Sequence, residues 1–352
     1  MKEFITDIEK DKALSIREQL SIFYSEKRYT HKFSTFDRLF DLLRGDLNFQ
    51  NKLKDYNSHN FHSFPAKYPP QLPRMFIENL THKGDIVLDP MVGSGTTMVE
   101  AYLSKRRGLG FDIDPLALNI SKVKTTPFNK YELSKYATEI YLNSKEDFIK
   151  NKSLLNKLLN KKYNGKTKKF LDYWFLEETQ LELLSLLNQI NNIKDEYSKN
   201  FFQIVFSSII ITKSGGVSLA LDLGHTRPHK VKALLDTKGN IISGDTNLDL
   251  SKKRYFAKHI KSAIKEFKRK SDQNINSVMS LDEEHYIPQI SYCDSQKLSL
   301  NSSTIDLIVT SPPYASNAID YMRAHKFSLV WFGHEIENLT RKRNEYIGSE
   351  SV

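Results

Sequence analysis

The chain has 352 residues, of which 39% are hydrophobic and 27% charged, and it carries a net charge of +10 and a single cysteine, Cys293. This composition is typical of a protein with a hydrophobic core, and it excludes an intrachain disulfide and a cysteine-based zinc site. No apolar stretch reaches the roughly 18 residues of a membrane span, and no secretion signal is recognisable, so a reducing, cytoplasmic setting is expected. The positive charge suits either a polyanionic partner or a generally Lys-rich composition.

The first predicted elements are helical and then alternate between strand and helix. Residues 1–58 predict a helical N-terminal extension, because apolar residues recur at helical spacing in FSTFDRLFDLLRGDL. After a proline-rich stretch, DIVLD (85–89) predicts a short buried strand, followed by a Gly-rich turn and a helix over 96–103. RRGLGFDID (106–114) predicts the next strand. This strand–loop–helix–strand order is typical of a parallel sheet.

Residues 120–285 predict a long helical segment that is rich in Lys, Asn and Leu. Within it, 252–270 predicts one amphipathic helix, with an apolar stripe formed by Phe256, Ile260, Ala263, Ile264 and Phe267. A basic stripe lies beside it, formed by Arg254, Lys258, Lys261, Lys265 and Lys268. The following stretch, 271–284, predicts a flexible link. Strands are predicted again at IPQISYCD (287–294) and IDLIVT (305–310), and a helix over about 318–332.

The stretch DPMVGSGTT (89–97) predicts a binding turn. A strand ends at Asp89, Gly93 and Gly95 let the backbone approach a ligand closely, and a helix begins directly after them. This order is typical of a site for a nucleotide-like cofactor. No Lys follows the last glycine as in a Walker loop, and Met98 stands where the G-x-G-x-x-G fingerprint has its third glycine.

The stretch GFDID (110–114) ends the next strand, about 20 residues further on. An acidic residue at this place can accept both hydroxyls of an adenosyl ribose. Asp112 is the better candidate than Asp114, although a solvated loop acid is the ordinary alternative for either residue.

The stretch TSPPY (310–314) follows a buried strand that the two prolines must end. Rigid prolines fix backbone carbonyls and the Ser311 hydroxyl as acceptors that can hold an amino group by its hydrogens. Tyr314 can then stack on a flat ring. The alternative for this stretch alone is a proline-ended strand with a packing tyrosine.

In this order, DPMVGSGTT, GFDID and TSPPY resemble the motifs of the amino-group DNA methyltransferases, which transfer a methyl group from S-adenosylmethionine to an exocyclic base nitrogen. FPAKYPPQLP (64–73) and ISYCD (290–294) resemble two further cofactor segments of that family. The resemblance covers roughly 60–120 and 287–333. It implies an α/β, Rossmann-like sheet with a large, mostly helical insertion. The serine of SPPY resembles the cytosine-N4 enzymes, whereas adenine-N6 enzymes more often carry Asp or Asn there.

The resemblance assigns roles to individual residues. Cofactor binding falls to Lys67, Asp89, Pro90, Gly93, Gly95, Thr96, Asp112 and Asp294. Catalysis falls to Ser311, Pro312, Pro313 and Tyr314, mainly by positioning and dehydrating the reacting groups, without a covalent nucleophile or a metal. Cys293 has no proline before it, which argues against the Pro-Cys thiol mechanism of cytosine-C5 enzymes.

The resemblance also implies a domain organisation. Residues 59–119 and 286–352 form the methyltransferase domain, and 120–285 form the insertion that recognises the target in double-stranded DNA. DNA contacts are expected from Arg227, Arg254, Lys258, Lys261, Lys265 and Lys268. For the basic stripe, an ordinary solvated helix face is the alternative.

The family fold has seven strands, and only four are predicted here, so the sheet is expected to lack its C-terminal strands. A second polypeptide could complete it, the chain could be a truncated product, or 1–58 could cover the edge. The sequence thus predicts a site-specific cytosine-N4 DNA methyltransferase of a prokaryotic restriction–modification or defence system, associated with the nucleoid, with the activity of this chain alone in question. The alternatives are an adenine-N6 enzyme, an RNA amino-methyltransferase, or a non-catalytic subunit that needs a partner chain.

Overall fold

The computed structural model describes residues 34–49, 56–223, 228–245, 256–279, 285–313 and 320–347. Its helices, in chain order, are α1 (Thr35–Arg44), α2 (Gln71–Leu80), α3 (Thr96–Leu103), α4 (Pro115–Thr125), α5 (Lys130–Lys150), α6 (Lys152–Lys162), α7 (Gly165–Trp174), α8 (Glu177–Asn191), α9 (Glu196–Ile210), α10 (Ala263–Asn276), α11 (Tyr321–Leu329) and α12 (Ile336–Lys342). Its strands are β1 (Ile86–Asp89), β2 (Arg107–Asp112), β3 (Ala233–Leu235), β4 (Ile241–Gly244), β5 (Ala257–Lys258), β6 (Gln289–Tyr292) and β7 (Leu307–Ile308).

The contacts divide the described residues into two compact units. The sheet unit takes the described parts of 1–60, 66–128 and 277–312, and the helix-rich unit takes those of 61–65, 129–276 and 313–352. These boundaries differ from the predicted domain boundaries. Residues 120–125, the second half of α4, lie in the sheet unit and not in the 120–285 insertion, because α4 packs against β2 and β6. The residues after Pro312 lie in the helix-rich unit and not in the methyltransferase segment 286–352, because α11 packs on α9.

The sheet unit is built on a parallel sheet with the strand order β6-β2-β1-β7. All four residues of β1 are buried, as expected for a central parallel strand that is covered on both faces. Leu88 belongs to the core on one face and Val87 to the core on the other, since successive side chains of a strand alternate. The predicted strands and the predicted helix over 96–103 are confirmed. β7 is shorter than predicted, pairing through Leu307 and Ile308, and Ile308 is 58% exposed.

Helix α3 packs closely on β2 because glycines of the strand leave room for a helix side chain. Met98 is fully buried, and its sulfur would lie 3.0 Å from a Cβ placed on Gly108 and 3.1 Å from one placed on Gly110. In the usual dinucleotide fingerprint, the third glycine of the loop provides this close packing. Here the small residues stand on the strand instead, which explains how Met98 is accommodated.

The helix-rich unit has an aromatic and aliphatic core. Helix α10 packs against α5 and α9, and Phe201, Phe206 and Phe267 are fully buried. Trp331 is also fully buried, with its ring edge-on to Phe175 at a centroid distance of 5.5 Å. The helices α8 and α9 contribute to this core and lie within 120–285, where the sequence predicts helical structure. No helix among the described residues has the length and apolar character to cross a membrane.

The predicted single helix over 252–270 is confirmed from Ala263 onward and is wrong over 256–262. Ala257–Lys258 form β5, which pairs in parallel with β3 in a three-stranded sheet of order β4-β3-β5. The helix begins only at Ala263, where the Glu182 carboxylate accepts hydrogen bonds from the Ser262 hydroxyl at 2.7 Å and from the Ala263 N–H. It continues to Asn276 and therefore replaces the first part of the predicted flexible link, because Ile275 extends the buried face.

Candidate functional site

The carboxyl edge of the parallel sheet gathers the predicted cofactor residues. β1 ends at Asp89, its neighbour β2 ends at Asp112, and β6, on the far side of β2, leads into Asp294. On the other side of β1, β7 leads into Ser311 and Pro312. Because the carboxyl ends of parallel strands meet at one edge, motifs separated by more than 200 residues in sequence lie at a common edge.

The Gly-rich loop between β1 and α3 is held by β2. The Gly93 N–H donates to Asp112 Oδ2 at 2.8 Å, and the Gly95 N–H donates to the Val92 carbonyl at 2.8 Å. Both glycines have positive φ, 49° at Gly93 and 78° at Gly95. A Cβ on Gly95 would lie 2.8 Å from Ser121 Oγ and 3.0 Å from Ser121 Cα, so position 95 requires glycine for both backbone and space.

The start of α3 lies directly after this loop, at Thr96. The first N–H groups of a helix have no partner within the helix and favour anionic ligand groups. Thr96 is buried, and its hydroxyl lies 3.3 Å from the Ser94 hydroxyl. The Thr97 hydroxyl donates to the Val309 carbonyl at 3.2 Å, which ties the start of α3 to the end of β7. Pro90, the first residue after β1, is half-buried.

The two strand-end acids have strongly raised pKa values. Burial raises the pKa of Asp89 to about 6, and the hydroxyls of Thr310 and Thr97 partly oppose that rise. Burial, together with the charge of Asp114, raises the pKa of Asp112 to about 7. Perturbed pKa values of this size are typical of binding sites in clefts, although structural networks also produce them.

Asp112 and Asp114 have different environments. One Asp114 oxygen caps α4 by accepting from the Leu116 N–H at 2.8 Å and the Ala117 N–H at 3.1 Å. Asp112 accepts one N–H on each oxygen, from Gly93 and from Asp114 at 2.9 Å. A carboxylate oxygen can accept two hydrogen bonds, so Asp112 keeps acceptor capacity for a ligand.

Asp294 and Cys293 lie just beyond β6. Asp294 is half-buried, and its side chain accepts from the Gln296 N–H at 3.0 Å. Burial and the charge of Asp294 raise the pKa of the Cys293 thiol, which disfavours the thiolate form that a covalent mechanism needs.

Lys67 lies before α2, in the segment FPAKYPPQLP. Its side chain is exposed at the surface, and its ammonium donates to the His59 carbonyl at 3.0 Å. The next residue, Tyr68, forms a hydrogen bond with the Thr97 hydroxyl at the start of α3. The structure thus connects this segment to the first turn after the Gly-rich loop.

Sequence reasoning missed a buried polar cluster behind the Gly-rich loop. Glu100 is fully buried, and its Oε1 accepts from the Tyr56 hydroxyl at 2.7 Å and pairs with His59 Nε2 at 2.6 Å. Ser121 and Lys124 of α4 donate to carbonyls of the loop itself. Their spacing of three residues on a helix is too common to have been a signal in the sequence. Tyr56 and His59, which precede the proline-rich segment, were the residues in the sequence that could have indicated this cluster.

The predicted catalytic segment is described in part. Ser311 and Pro312 are exposed and Pro313 is half-buried, whereas Tyr314 lies outside the described residues. The Val309 N–H donates to the Leu88 carbonyl at 3.0 Å, so the segment leaves the sheet beside the end of β1.

The predicted DNA-contact residues do not form one helix face. Lys258 lies on β5, and its ammonium donates to the carbonyls of Ser218 and Ala220 at 2.8 and 2.9 Å. Burial lowers its pKa to about 7. On α10, Lys268 pairs with Asp272 at 2.7 Å, and Lys265 is exposed.

Of the remaining predicted DNA-contact residues, only Lys261 lies in the part of the chain that the structure describes. Lys261, just before α10, lies 3.5 Å from Glu266. Arg227 and Arg254 lie outside the described residues. In the part of the chain that the structure describes, no group of three or more His, Cys, Asp or Glu side chains is placed to hold a metal ion.

A comparison with protein families matches the part of the chain that contains the Gly-rich loop. Residues 1–123 match the N6/N4 DNA methylase family. The matched range includes Lys67, the Gly-rich loop and Asp112.

Similarity to individual proteins extends further along the chain. The Type II methyltransferase M.MvaI of Kocuria varians is 27% identical over 84% of this chain and 62% of its own length. M.MjaII of Methanocaldococcus jannaschii is 25% identical over 84% of this chain and 65% of its own length, and M.BsoBI of Geobacillus stearothermophilus is 25% identical over 90% and 60%. The chain therefore spans about three fifths of the length of these relatives. No solved structure matches it.

Proposed function

We propose that this chain takes part in the S-adenosylmethionine-dependent methylation of an amino group in double-stranded DNA, as the cytosine-N4 methyltransferase of a restriction–modification or defence system. The observation that carries the proposal is the common edge of the parallel sheet. The Gly-rich loop, Asp112 and the SPP segment leave three neighbouring strands, β1, β2 and β7, at that edge. The similarity to Type II methyltransferases supports the same reaction.

The cofactor residues present suit an adenosyl cofactor. Asp112 retains acceptor capacity for ribose hydroxyls, Asp294 offers a half-buried carboxylate for the adenine amino group, and the loop glycines leave room for close backbone approach. The start of α3 and the ammonium of Lys67 favour the carboxylate of the methionine part. Pro90 and Thr96, which flank the loop, complete the proposed set. When bound, S-adenosylmethionine supplies the electrophilic methyl group.

The target amino group would be held by the segment that follows β7. The Ser311 hydroxyl and the Pro312 carbonyl would accept its hydrogens, which leaves the nitrogen lone pair directed to the methyl group. Pro313 keeps the segment rigid, and Tyr314 would stack on a base extruded from the duplex. Such a site works by positioning and by excluding water, and it needs no covalent nucleophile.

Target recognition is proposed for the helix-rich unit. Lys261 and Lys265 are exposed on or just before α10, where cations can contact phosphates, and Lys268, which is half-buried and paired with Asp272, stays a candidate. Arg227 and Arg254 stay candidates from the sequence alone. The inward hydrogen bonds of Lys258 favour a structural role for that residue.

Analysis of nucleosides by mass spectrometry tests this function. DNA containing many sequences is incubated with the purified chain and S-adenosylmethionine and is then digested to nucleosides. N4-methylcytosine is the expected product. N6-methyladenine would instead support the adenine enzyme, and cofactor binding without any modified base would support a non-catalytic subunit. Methyl transfer by the purified chain would also show that no second polypeptide is needed to complete its sheet.

A further inference from the structure

Helix α4 presents two side chains, one turn apart, to the Gly-rich loop. The Ser121 hydroxyl donates to the Gly93 carbonyl at 2.9 Å, and the Lys124 ammonium donates to the Ser94 carbonyl at 2.7 Å. Ser121 is fully buried and Lys124 is 1% exposed. Two consecutive loop carbonyls are therefore held on the helix side of the loop.

This arrangement decides which groups the loop can offer to a ligand. In a trans peptide the C=O and the N–H point in opposite directions. With the Gly93 carbonyl directed to Ser121, the Ser94 N–H is directed away from α4. Glycine readily adopts alternative backbone angles, so the peptide between Gly93 and Ser94 could flip without the contact from Ser121, whereas the next peptide is also held by the bond from the Gly95 N–H to the Val92 carbonyl. A flipped peptide would present a carbonyl oxygen in place of an N–H and would repel an anionic ligand group.

Burying the Lys124 ammonium is costly, which argues against an incidental contact. Burial and the charge of Lys67 lower the pKa of Lys124 well below its usual range, and the charge of Glu100 opposes that change. Burial raises the pKa of Glu100 itself to about 7. Its Oε1 is held by Tyr56 and His59, whereas its Oε2 has no hydrogen-bond partner among the described residues.

We propose that Ser121 and Lys124 are positioning residues that keep the Gly-rich loop in its cofactor-binding form. The inference rests on the proposed function in so far as it names the cofactor. The two residues act through the loop backbone and do not touch the reacting atoms.

The test compares Ser121→Ala and Lys124→Met with the control Thr125→Val. Thr125 is equally buried on α4, but its hydroxyl donates to the Ser121 carbonyl of its own helix at 3.0 Å and does not reach the loop. Hydrogen–deuterium exchange of the peptide covering 90–97 reports on the loop, and calorimetric titration with S-adenosylmethionine reports on the site. Ser121→Ala and Lys124→Met are both expected to show faster hydrogen exchange at the loop and to bind the cofactor roughly tenfold more weakly. The control is expected to match the wild type in both measurements.

Wild-type loop exchange and wild-type cofactor affinity in Ser121→Ala would overturn the inference. That variant removes only one oxygen atom, so it keeps the test decisive if Lys124→Met does not fold. Lys124→Arg, which retains a donor, is expected to restore part of the affinity, and an affinity as low as that of Lys124→Met would count against the donor role. If the wild-type chain does not bind S-adenosylmethionine, the proposed function fails. The hydrogen exchange of the peptide covering 90–97 then still tests whether Ser121 and Lys124 hold the loop.

Discussion

Gly93 and Asp112 are joined by a 2.8 Å hydrogen bond between the loop N–H and the carboxylate that ends the next strand. The turn proposed to receive the methionine part of the cofactor and the acid proposed to receive its ribose are therefore not independent. A change at Asp112 alters a direct contact and the loop geometry together. The effects of substitutions at the two positions are expected to be non-additive.

Replacing Asp112 by Asn should weaken cofactor binding by roughly tenfold or more, because the amide loses one acceptor oxygen and the negative charge. Calorimetric titration with S-adenosylmethionine measures the change. Asp114→Asn is the matched control, since Asn also caps helices well and Asp114 is occupied at the start of α4. Equal losses in the two variants would contradict the assignment of the ribose to Asp112.

The buried carboxyl groups of Asp112, Glu100 and Asp89 should make the free energy of unfolding fall as the pH rises between about 4 and 7, and buried His59, whose pKa is lowered to about 2, opposes part of that fall. The folded-state pKa of Asp112 is raised to about 7 from an ordinary value of 3.8, so the folded protein retains a proton that the unfolded chain has already released. Glu100, at about 7, and Asp89, at about 6, act in the same direction. Urea denaturation at pH 5, 6, 7 and 8 should give a decreasing free energy of unfolding from these groups, with a smaller decrease in Asp112→Asn. An unchanged pH dependence in that variant would argue against the raised pKa.

Gly95→Ala should destabilise the protein by about 2–5 kcal/mol. Two costs add up here: alanine is strained in the left-handed backbone conformation of position 95, and its Cβ collides with Ser121. Gly165→Ala separates the two effects. Gly165 also has a positive φ, 53°, but a Cβ there would meet no atom within 4 Å. Its cost should be about 1–2 kcal/mol. Chemical denaturation compares the variants, and equal losses would show that contact with α4 does not constrain the loop.

Tyr314 is expected to act on the base and not on the cofactor. Tyr314→Ala should lower methyl transfer by roughly 5- to 150-fold while leaving S-adenosylmethionine affinity unchanged, because base stacking on an aromatic ring contributes about 1–3 kcal/mol. Tyr314→Phe retains the ring and should keep most of the activity. Steady-state kinetics with separate titration of DNA and cofactor distinguish the two substrates. A loss in Tyr314→Phe equal to that in Tyr314→Ala would favour a role for the hydroxyl.

Lysines near α10 should differ in their effect on DNA binding. Lys265 is exposed, and its replacement by Ala should reduce the salt dependence of DNA affinity by about one released ion. Lys258→Ala should instead lower the thermal stability, because the ammonium of Lys258 donates to two backbone carbonyls. Fluorescence anisotropy at several salt concentrations and thermal unfolding measure the two effects. An unchanged salt slope in Lys265→Ala would remove this lysine from the DNA surface.

The parts of the fold that local sequence determines were predictable. The strand ends at Asp89 and Asp112 and the helix start at Thr96 follow from short apolar runs, glycines and prolines that lie within a few residues of one another. The start of α10 at Ala263 was not predictable, because its capping carboxylate, Glu182, lies 81 residues away in sequence.

In the candidate site, too, residues within short motifs were predictable, and residues that depend on the packing of distant segments were not. Asp112 and the glycines could be named as candidates from motif spacing, and the structure joins Asp112 to the loop through the Gly93 N–H. Ser121, Lys124 and Glu100 could not be assigned, because a serine, a lysine and a glutamate on helices are ordinary surface residues until the packing of α3 and α4 is known. Only the folded chain reveals that all three are buried.

The length of α4 constrains the Gly-rich loop. Asp114 fixes the first turn of the helix, and Ser121 and Lys124 meet the loop from its later turns. One inserted residue between Asp114 and Ser121 would rotate the later turns by about 100° and advance them by about 1.5 Å, which would remove both donors from the loop at once. The length of α4 therefore sets where both donors stand, and this part of the chain should tolerate substitution at Asn119 and Lys122, its two residues that are not buried, but no change in residue number.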